Sequence, residues 1–311
     1  MDYSVVAFYH FFLIENPQQE VEIWKEGLRK RGAKGRIYIN TQGINAQFSI
    51  SNGAKEEAIE WIHARPHLQE AFIKIHPHHE HPFPKLTIKV REQLVAIDRH
   101  VDLTDRGTPL SPKEWKERLE NRDPQTLLLD VRNDYEWEVG HFQGSLPSGC
   151  QTFRDFPERI QALKEKYPPS ETPIMMYCTG GIRCEIYSSL MKEEGFKEVY
   201  QLEGGIIQYG EEEGKNHWEG GLFVFDDRLV VSIDGKPGGK EVISHCIHCQ
   251  EPSDRYYNCA NMSCNALFLS CPTCAESLRG CCSSECQGSS HCRPFIPQDR
   301  PKPFRKLSRT S

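Results

Sequence analysis

"MMYCTGGIRCE", residues 175–185, is an apolar run that ends on Cys178, turns through two glycines and closes on an arginine before a second cysteine. A short run apolar on every side reads as a strand buried on both faces of a parallel sheet. Ligands collect outside the carboxyl ends of such strands, which is where Cys178 stands. Thr179, Gly180, Gly181 and Ile182 form the loop that follows, with a helix expected about six residues after Cys178. Successive backbone N–H groups backed by a helix N-terminus make an anion-binding nest. The two glycines let that backbone curl without Cβ clashes. The same field favours the thiolate of Cys178, the reactive form, and Arg183 adds a fixed positive charge at the rim. Cys178 to Arg183 is C-x4-R, one residue shorter than the loop with which cysteine phosphatases ring a phosphate. The tighter cradle suits the terminal sulfur of a cysteine persulfide. A buried structural cysteine beside a glycine turn is the blander alternative, and the strand, glycines, arginine and helix in register outweigh it.

The neighbourhood keeps an α/β rhythm. Strand "TLLLDV", helices near "DYEWEVG" and in "FRDFPERIQALKEKY", strand "PIMMYC", helix "CEIYSSLMKEEG" and short strand "EVYQL" alternate over 111–220. This order predicts a parallel sheet covered by helices. Ser111 with Glu114 makes a capping box, and Pro112 takes the first helical position. Upstream, residues 1–95 read strand, helix, strand, strand, helix, strand, the split βαβ order of a ferredoxin-like α+β sandwich. The two strands there meet at a "QGIN" turn, and 96–110 reads as a linker. Downstream, 221–292 holds a hairpin, "GLFVFDDRLVVSIDG", and a cysteine-rich lobe, and 293–311 is a basic, proline-containing tail.

Composition bounds the class. With 38% hydrophobic and 26% charged residues and no apolar run near the ~20 residues of a membrane span, the 311-residue chain reads as a cytoplasmic protein with no membrane partner. Its first residues read as a strand, since no basic region precedes an apolar one. The net charge of −6 argues against a wholly basic nucleic-acid binder, yet Lys25 to Arg36 carries six basic residues and one acidic. Arg29, Lys30, Arg31 and Lys34 in that stretch are the candidate RNA contacts. The histidines of "HPHHEHPFPK" read as solvated loop residues rather than metal ligands.

Ten of the 13 cysteines fall between Cys246 and Cys292. In a cytosolic chain such clustering points to metal or redox chemistry. The pairs Cys246/Cys249, Cys259/Cys264, Cys271/Cys274 and Cys281/Cys286 provide the thiolates of two four-cysteine zinc sites. Cross-bracing, first pair with third and second with fourth, is one arrangement the spacing allows. An iron–sulfur site or a reduced, metal-free lobe also remains open. Cys150 reads as a packing residue, whereas Cys184 reads as a support for Cys178 with an open redox role.

"LLLDVRNDYEWEVGHFQGS" (127–145) resembles the first signature of rhodanese domains, and "YCTGGIRCE" resembles their active-site loop. Asp130 and Arg132 would buttress that loop, while Glu136 and His141 would fix local structure. The start of the chain, the "QGIN" turn, the loop and the cysteine-rich end together resemble the bacterial rhodanese-containing tRNA uridine hydroxylases. That resemblance implies oxygen-dependent 5-hydroxylation of the wobble uridine of tRNA, with the reactive cysteine at Cys178. It implies O2 as co-substrate with an unidentified electron donor; no flavin or haem motif is present, and oligomeric state is undetermined. A sulfurtransferase carrying sulfane sulfur on Cys178 fits the loop equally well. A non-catalytic RNA- or protein-binding module fits it less well.

Overall fold

The computed structural model describes residues 1–95, 97, 99, 101–236 and 240–296. The basic tail from 297 onward lies outside the described residues. Three units follow one another along the chain.

The first is a five-stranded sheet under two helices. Its elements are β1 (Tyr3–Phe11), α1 (Pro17–Lys30), β2 (Lys34–Asn40), β3 (Gly43–Ser51), α2 (Asn52–His63), β4 (Lys74–His78) and β5 (Leu86–Val90). The sheet order β4-β1-β3-β2 is the ferredoxin-like one, extended by β5 parallel to β2. Helix α1 starts on Asn16, whose side chain accepts the Gln19 N–H, and it buries Val21, Trp24 and Leu28 against the sheet. Each such side chain contributes on the order of 1.5–3 kcal/mol of burial. The strands alternate: Val6, Phe8, Ile37, Ala46 and Phe48 point at the helices. Tyr9, Arg36, Tyr38, Asn45 and Gln47 therefore occupy the other face. The tight turn between β2 and β3 is made by Thr41 and Gln42. Gly43 of the "QGIN" stretch already belongs to β3, where its backbone presses so closely on His10 that an added Cβ would lie 2.1 Å from the His10 carbonyl oxygen.

The second unit is a parallel sheet of β6 (Thr108–Leu110), β7 (Leu127–Asp130), β9 (Ile174–Tyr177) and β10 (Val199–Leu202) in the order β6-β10-β9-β7. Its helices are α3 (Pro112–Glu120), α4 (Asp134–Glu138), α5 (Phe156–Lys166), α6 (Ile182–Glu193) and α7 (Gly205–Glu212), and β8 (Gly140–Phe142) pairs with β11 (Trp218–Gly220) at one side. Strands β7 and β9 are buried at every residue, as their unbroken apolar runs require. The segment expected to be a linker is not a free tether. Ile97 and Val101 are buried in the α/β core, and 108–110 supplies the edge strand β6.

The third unit opens with β12 (Leu222–Phe223) and β13 (Val230–Val231) and continues with β14 (Tyr256–Asn258), β15 (Leu267–Leu269), α8 (Pro272–Ser277) and α9 (Ser284–Gln287). Tyr256 donates its hydroxyl to the Tyr135 carbonyl, tying the lobe to α4. The buried cluster at its far end consists of Cys259, Ala260, Phe268 and Cys281, too little apolar surface to hold a fold alone. Among the described residues no helix is long and apolar enough to cross a membrane.

Candidate active site and cysteine-rich lobe

Strand β9 ends at Tyr177 and places Cys178, fully buried, at the carboxyl edge of the sheet. The loop that follows is clamped between two helix starts. Helix α6 begins at Ile182, and the Gly181 N–H in front of it donates to the Cys178 sulfur at 3.1 Å. Helix α7 faces the loop from the other side, with Ile206 N–H donating to the Cys178 carbonyl at 3.0 Å and Ile207 N–H to that of Thr179 at 3.1 Å. Gly205 makes this approach possible: a Cβ there would lie 2.5 Å from the Cys178 oxygen and 2.8 Å from the Gly180 and Gly181 nitrogens. Gly181, at φ +101°, takes a backbone conformation that side-chain-bearing residues rarely adopt.

Burial opposes ionisation of Cys178, but the Cys184 thiol, the charge of Arg183 and the N–H groups of Cys184 and Gly181 override it, bringing the thiol down to about 5. At neutral pH Cys178 is therefore a thiolate. Burial together with the neighbouring Cys178 anion pushes Cys184 the other way, well above the ordinary thiol range, so that it remains a neutral hydrogen-bond donor.

Arg183 does not stand at the rim. Because α6 starts two residues earlier than the sequence suggests, Arg183 falls in the first turn and turns inward, only 4% exposed. Its guanidinium forks onto the fully buried Glu136 carboxylate at 2.8 and 3.0 Å and also donates to Thr179 Oγ1 at 3.0 Å. The Glu136 carboxylate in turn accepts from Thr179 Oγ1 at 3.2 Å and from the Asn133 N–H at 3.1 Å. Glu136, read from sequence as a local structural residue, is thus the counter-ion of the loop. The buried pair Asp130–Arg132 does a different task from the one expected. Arg132 forks onto Asp130 at 2.6–3.0 Å and donates to the Gly140 carbonyl at 2.6 Å, which fixes β8 and not the Cys178 loop.

The first unit closes the site. Lys74 of β4, 5% exposed, donates to the Gly180 carbonyl at 2.6 Å, and Tyr9 of β1 packs on Gly181 and donates to Glu185 at 3.2 Å. Burial pulls the Lys74 ammonium down to about 8, against the opposing pull of Cys178 and Glu211. Between this sheet and the loop lies a cleft of about 810 Å³ that Thr179, Gly180 and Ile182 line from one side, Tyr38 and Gln47 from the other. Phe153 and Arg154 reach it too, whereas Tyr177 is buried on the far side of its sheet.

Residues 3–94 match the family model of the UPF0176 acylphosphatase like domain, 111–212 the rhodanese-like domain and 219–287 the rhodanase C-terminal region. The chain is 53% identical over 98% of its length, and 94% of the relative's, to a protein of Protochlamydia amoebophila named tRNA uridine(34) hydroxylase. A protein of Chlamydia felis with the same name is 48% identical over 98% of this chain and 94% of its own. The chain belongs to the tRNA uridine(34) hydroxylase family. Among solved structures, the rhodanese-like domain of the Alr3790 protein from Anabaena aligns at 23% identity over 46% of this chain and 96% of its own, with a TM-score of 0.31.

The RNA contacts expected on α1 are placed largely away from the cleft. Arg29 and Lys30 are exposed on the helix layer, Lys30 paired with Glu26, and Arg31 lies over Trp61 and pairs with Glu57. Lys34 alone shares the strand face of Arg36. Cys150 is buried in the α/β core and its thiol is pushed up to about 11 by burial, an inert packing residue. His78 and His79 come within 4.8 Å of Glu80, and His76 sits half-buried on β4.

In the cysteine-rich lobe the sulfurs of Cys246, Cys249, Cys271 and Cys274 form one group, and those of Cys259, Cys264, Cys282 and Cys286 a second, every atom within 4.8 Å of the others in its group. Either group could hold a metal ion. First pair meets third and second meets fourth. Cys282, not Cys281, completes the second group: Cys281 is buried and faces Cys292 at 3.7 Å. The turn over 278–280, with Arg279 and Gly280 both at positive φ, leads into the two adjacent thiols, and the spacing of the cysteines carries no trace of which one joins the group.

Proposed function

We propose that this chain hydroxylates C5 of the wobble uridine, position 34, of tRNA, with Cys178 as the reactive thiol. What carries the reading is the likeness to named tRNA uridine(34) hydroxylases over 98% of the chain, all three units included. A simple sulfur carrier needs neither flanking unit. The site supplies a preformed thiolate beneath a cleft wide enough for a nucleotide. Addition of that thiolate to C6 of the uracil ring moves an electron pair toward C5 and O4 and makes C5 nucleophilic. With O2 as co-substrate, one oxygen atom enters the new C5–O bond and the other leaves as water. Two electrons from a separate donor and two protons complete that reduction; transfer of the C5 proton to the new oxygen then restores the C5–C6 double bond, breaks the C6–S bond and returns the Cys178 thiolate. Glu136 and Arg183 hold the loop's charge in place, and Lys74 fixes the Gly180 peptide. A tRNA substrate supports the reading of a cytoplasmic enzyme.

The test is the nucleoside content of tRNA, by mass spectrometry, in cells lacking the gene and supplied with the wild type or Cys178→Ser. Loss of 5-hydroxyuridine derivatives with Cys178→Ser is expected. Full hydroxylation by that variant sinks the role of Cys178, and selective loss of thiolated uridine turns the reading to sulfur transfer.

Each four-thiol group, in the same proposal, holds a structural Zn2+. Tetrahedral zinc with Zn–S bonds of ~2.3 Å requires sulfurs about 3.8 Å apart. Cys249–Cys271 and Cys264–Cys282 stand at 3.7 Å, and Cys282–Cys286 at 3.8 Å. With so small an apolar cluster in the lobe, bound metal would supply much of its folding free energy. Elemental analysis of the purified protein should find two zinc ions per chain, one for each group.

A further inference from the structure

The face of the N-terminal sheet that looks at the Cys178 loop is rich in basic, aromatic and amide side chains. The chain carries a net charge of −6. Yet of the charged residues that line the cleft, among the described residues, five are basic (Arg36, Lys74, Arg91, Arg154 and Arg183) and one, Glu92, is acidic. Arg183 is paired with Glu136 and Lys74 is bonded to the Gly180 carbonyl, while Arg36 and Arg91 are exposed at the open side of the cleft. The strand register sets them in rows. One row crosses the sheet as Lys74, Ala7, Gln47, Arg36 and Thr87, and the next as Tyr9, Asn45, Tyr38 and Lys89. Lys74 begins the first row at the catalytic loop, and Arg36 lies three strands away from it at the open side. Tyr9 and Tyr38 are two strand spacings apart, about 9–10 Å. The Arg91 guanidinium stands 4.9 Å from the Tyr38 ring centroid.

Aromatic rings, side-chain amides and cations in register on one open sheet face are what single-stranded RNA needs. Unpaired bases stack on the rings, amides meet their hydrogen-bonding edges, and phosphates meet the cations. A duplex presents no free base faces to such a surface. Resting on the tRNA reading above, we propose that the anticodon loop lies across this sheet face. In this arrangement Tyr38 and Arg91 receive a base next to the target uridine, and Arg36 and Lys89 contact the phosphates that flank it. The N-terminal unit is then the substrate-binding half of the active site, joined to the reactive loop through Lys74 and Tyr9. The basic residues of α1 lie on the opposite side of this sheet, behind the helix layer.

The experiment is fluorescence anisotropy with the full-length protein and a labelled anticodon stem-loop RNA bearing uridine at position 34, at several salt concentrations. Tyr38→Ala should weaken binding about tenfold or more, while Tyr38→Phe stays within about twofold of wild type, because stacking needs the ring alone. Arg36→Gln should weaken binding and lower the slope of log Kd against log salt by about one phosphate contact, and Arg91→Gln should weaken binding through loss of the guanidinium that stacks with the base. Arg36 and Arg91 are exposed, so these variants keep the question decidable even if Tyr38→Ala melts early. Sheet variants binding like wild type overturn the proposal. So does a loss of binding that follows Arg29→Gln and Lys30→Gln instead. If wild type binds and hydroxylates while the sheet variants are unaffected, this surface alone is wrong. Failure of the wild type to bind any anticodon stem-loop overturns the tRNA reading with it.

Discussion

Glu136→Ala is the substitution whose consequence the structure fixes most sharply. The Glu136 carboxylate is fully buried and accepts both prongs of Arg183, the Thr179 hydroxyl and the Asn133 N–H. Truncation leaves Arg183, itself 4% exposed, as a buried cation with its hydrogen bond to Thr179 and the nearby Cys178 thiolate. Breaking one side of a buried pair costs about 3–5 kcal/mol, because the surviving charge stays out of water. With a urea dependence of roughly 2 kcal/mol per molar, the unfolding midpoint should fall by about 1.5–2.5 M. The double variant Glu136→Leu/Arg183→Met removes both charges and should recover most of that loss. Cys178 supplies the second readout. Glu136→Ala leaves the Arg183 charge beside the sulfur, so the Cys178 pKa should not rise, whereas Arg183→Met should raise it. A midpoint shift below about 0.5 M for Glu136→Ala, roughly 1 kcal/mol, would refute the claim that Arg183 is a desolvated cation held by this carboxylate.

Alkylation of Cys178 by iodoacetamide, followed on its peptide by mass spectrometry, should reach half its maximal rate near pH 5 and fall below it as the thiolate protonates. The folded pKa is depressed from an ordinary 9.0. The stabilisation linked to this thiolate is therefore complete above about pH 9 and is lost as pH falls through about 5. Cys184→Ala, which removes the neighbouring thiol donor, should move the alkylation profile upward, and an unmoved profile counts against that hydrogen bond. Gly205→Ala should destabilise the fold by about 1–3 kcal/mol in urea, since its Cβ would meet the Cys178 oxygen at 2.5 Å at a residue with φ +67°; wild-type stability would mean the α7 start is not pressed on the loop. Chelation by a zinc-selective agent should open residues 245–292 to proteases while 111–212 stays resistant, and an unchanged digestion pattern would remove the structural role of metal.

The strand–loop–helix around Cys178 was legible because its causes are local. An apolar run, two glycines and a helix start are consecutive in sequence, and their geometry follows from backbone rules alone. The ferredoxin-like order was legible for the same reason, as was the meeting of first pair with third and second with fourth in the cysteine lobe, though only as one option. The failures share a different cause. The inward course of Arg183 is not legible because it depends on the helix starting at Ile182, two residues before the run that reads as helix, which sets Arg183 in the first turn and buries it. Cys281 and Cys282 are adjacent, and only the backbone that follows the turn over 278–280 turns the Cys282 sulfur into the four-thiol group and the Cys281 sulfur toward Cys292. Lys74 lies 106 residues from Gly180, and no pattern near either residue announces the other. The basic residues of α1 stand out in the sequence because they are consecutive, yet consecutive residues on a helix spread around its axis. Residues that alternate along strands are scattered in sequence and converge in space. Arg36, Tyr38, Gln47, Lys74 and Arg91 come from four strands or strand ends, and pairing alone gathers them on one face. A surface built by strand register is therefore the kind of site a reading of charge runs passes over, even when every residue in it is in plain view.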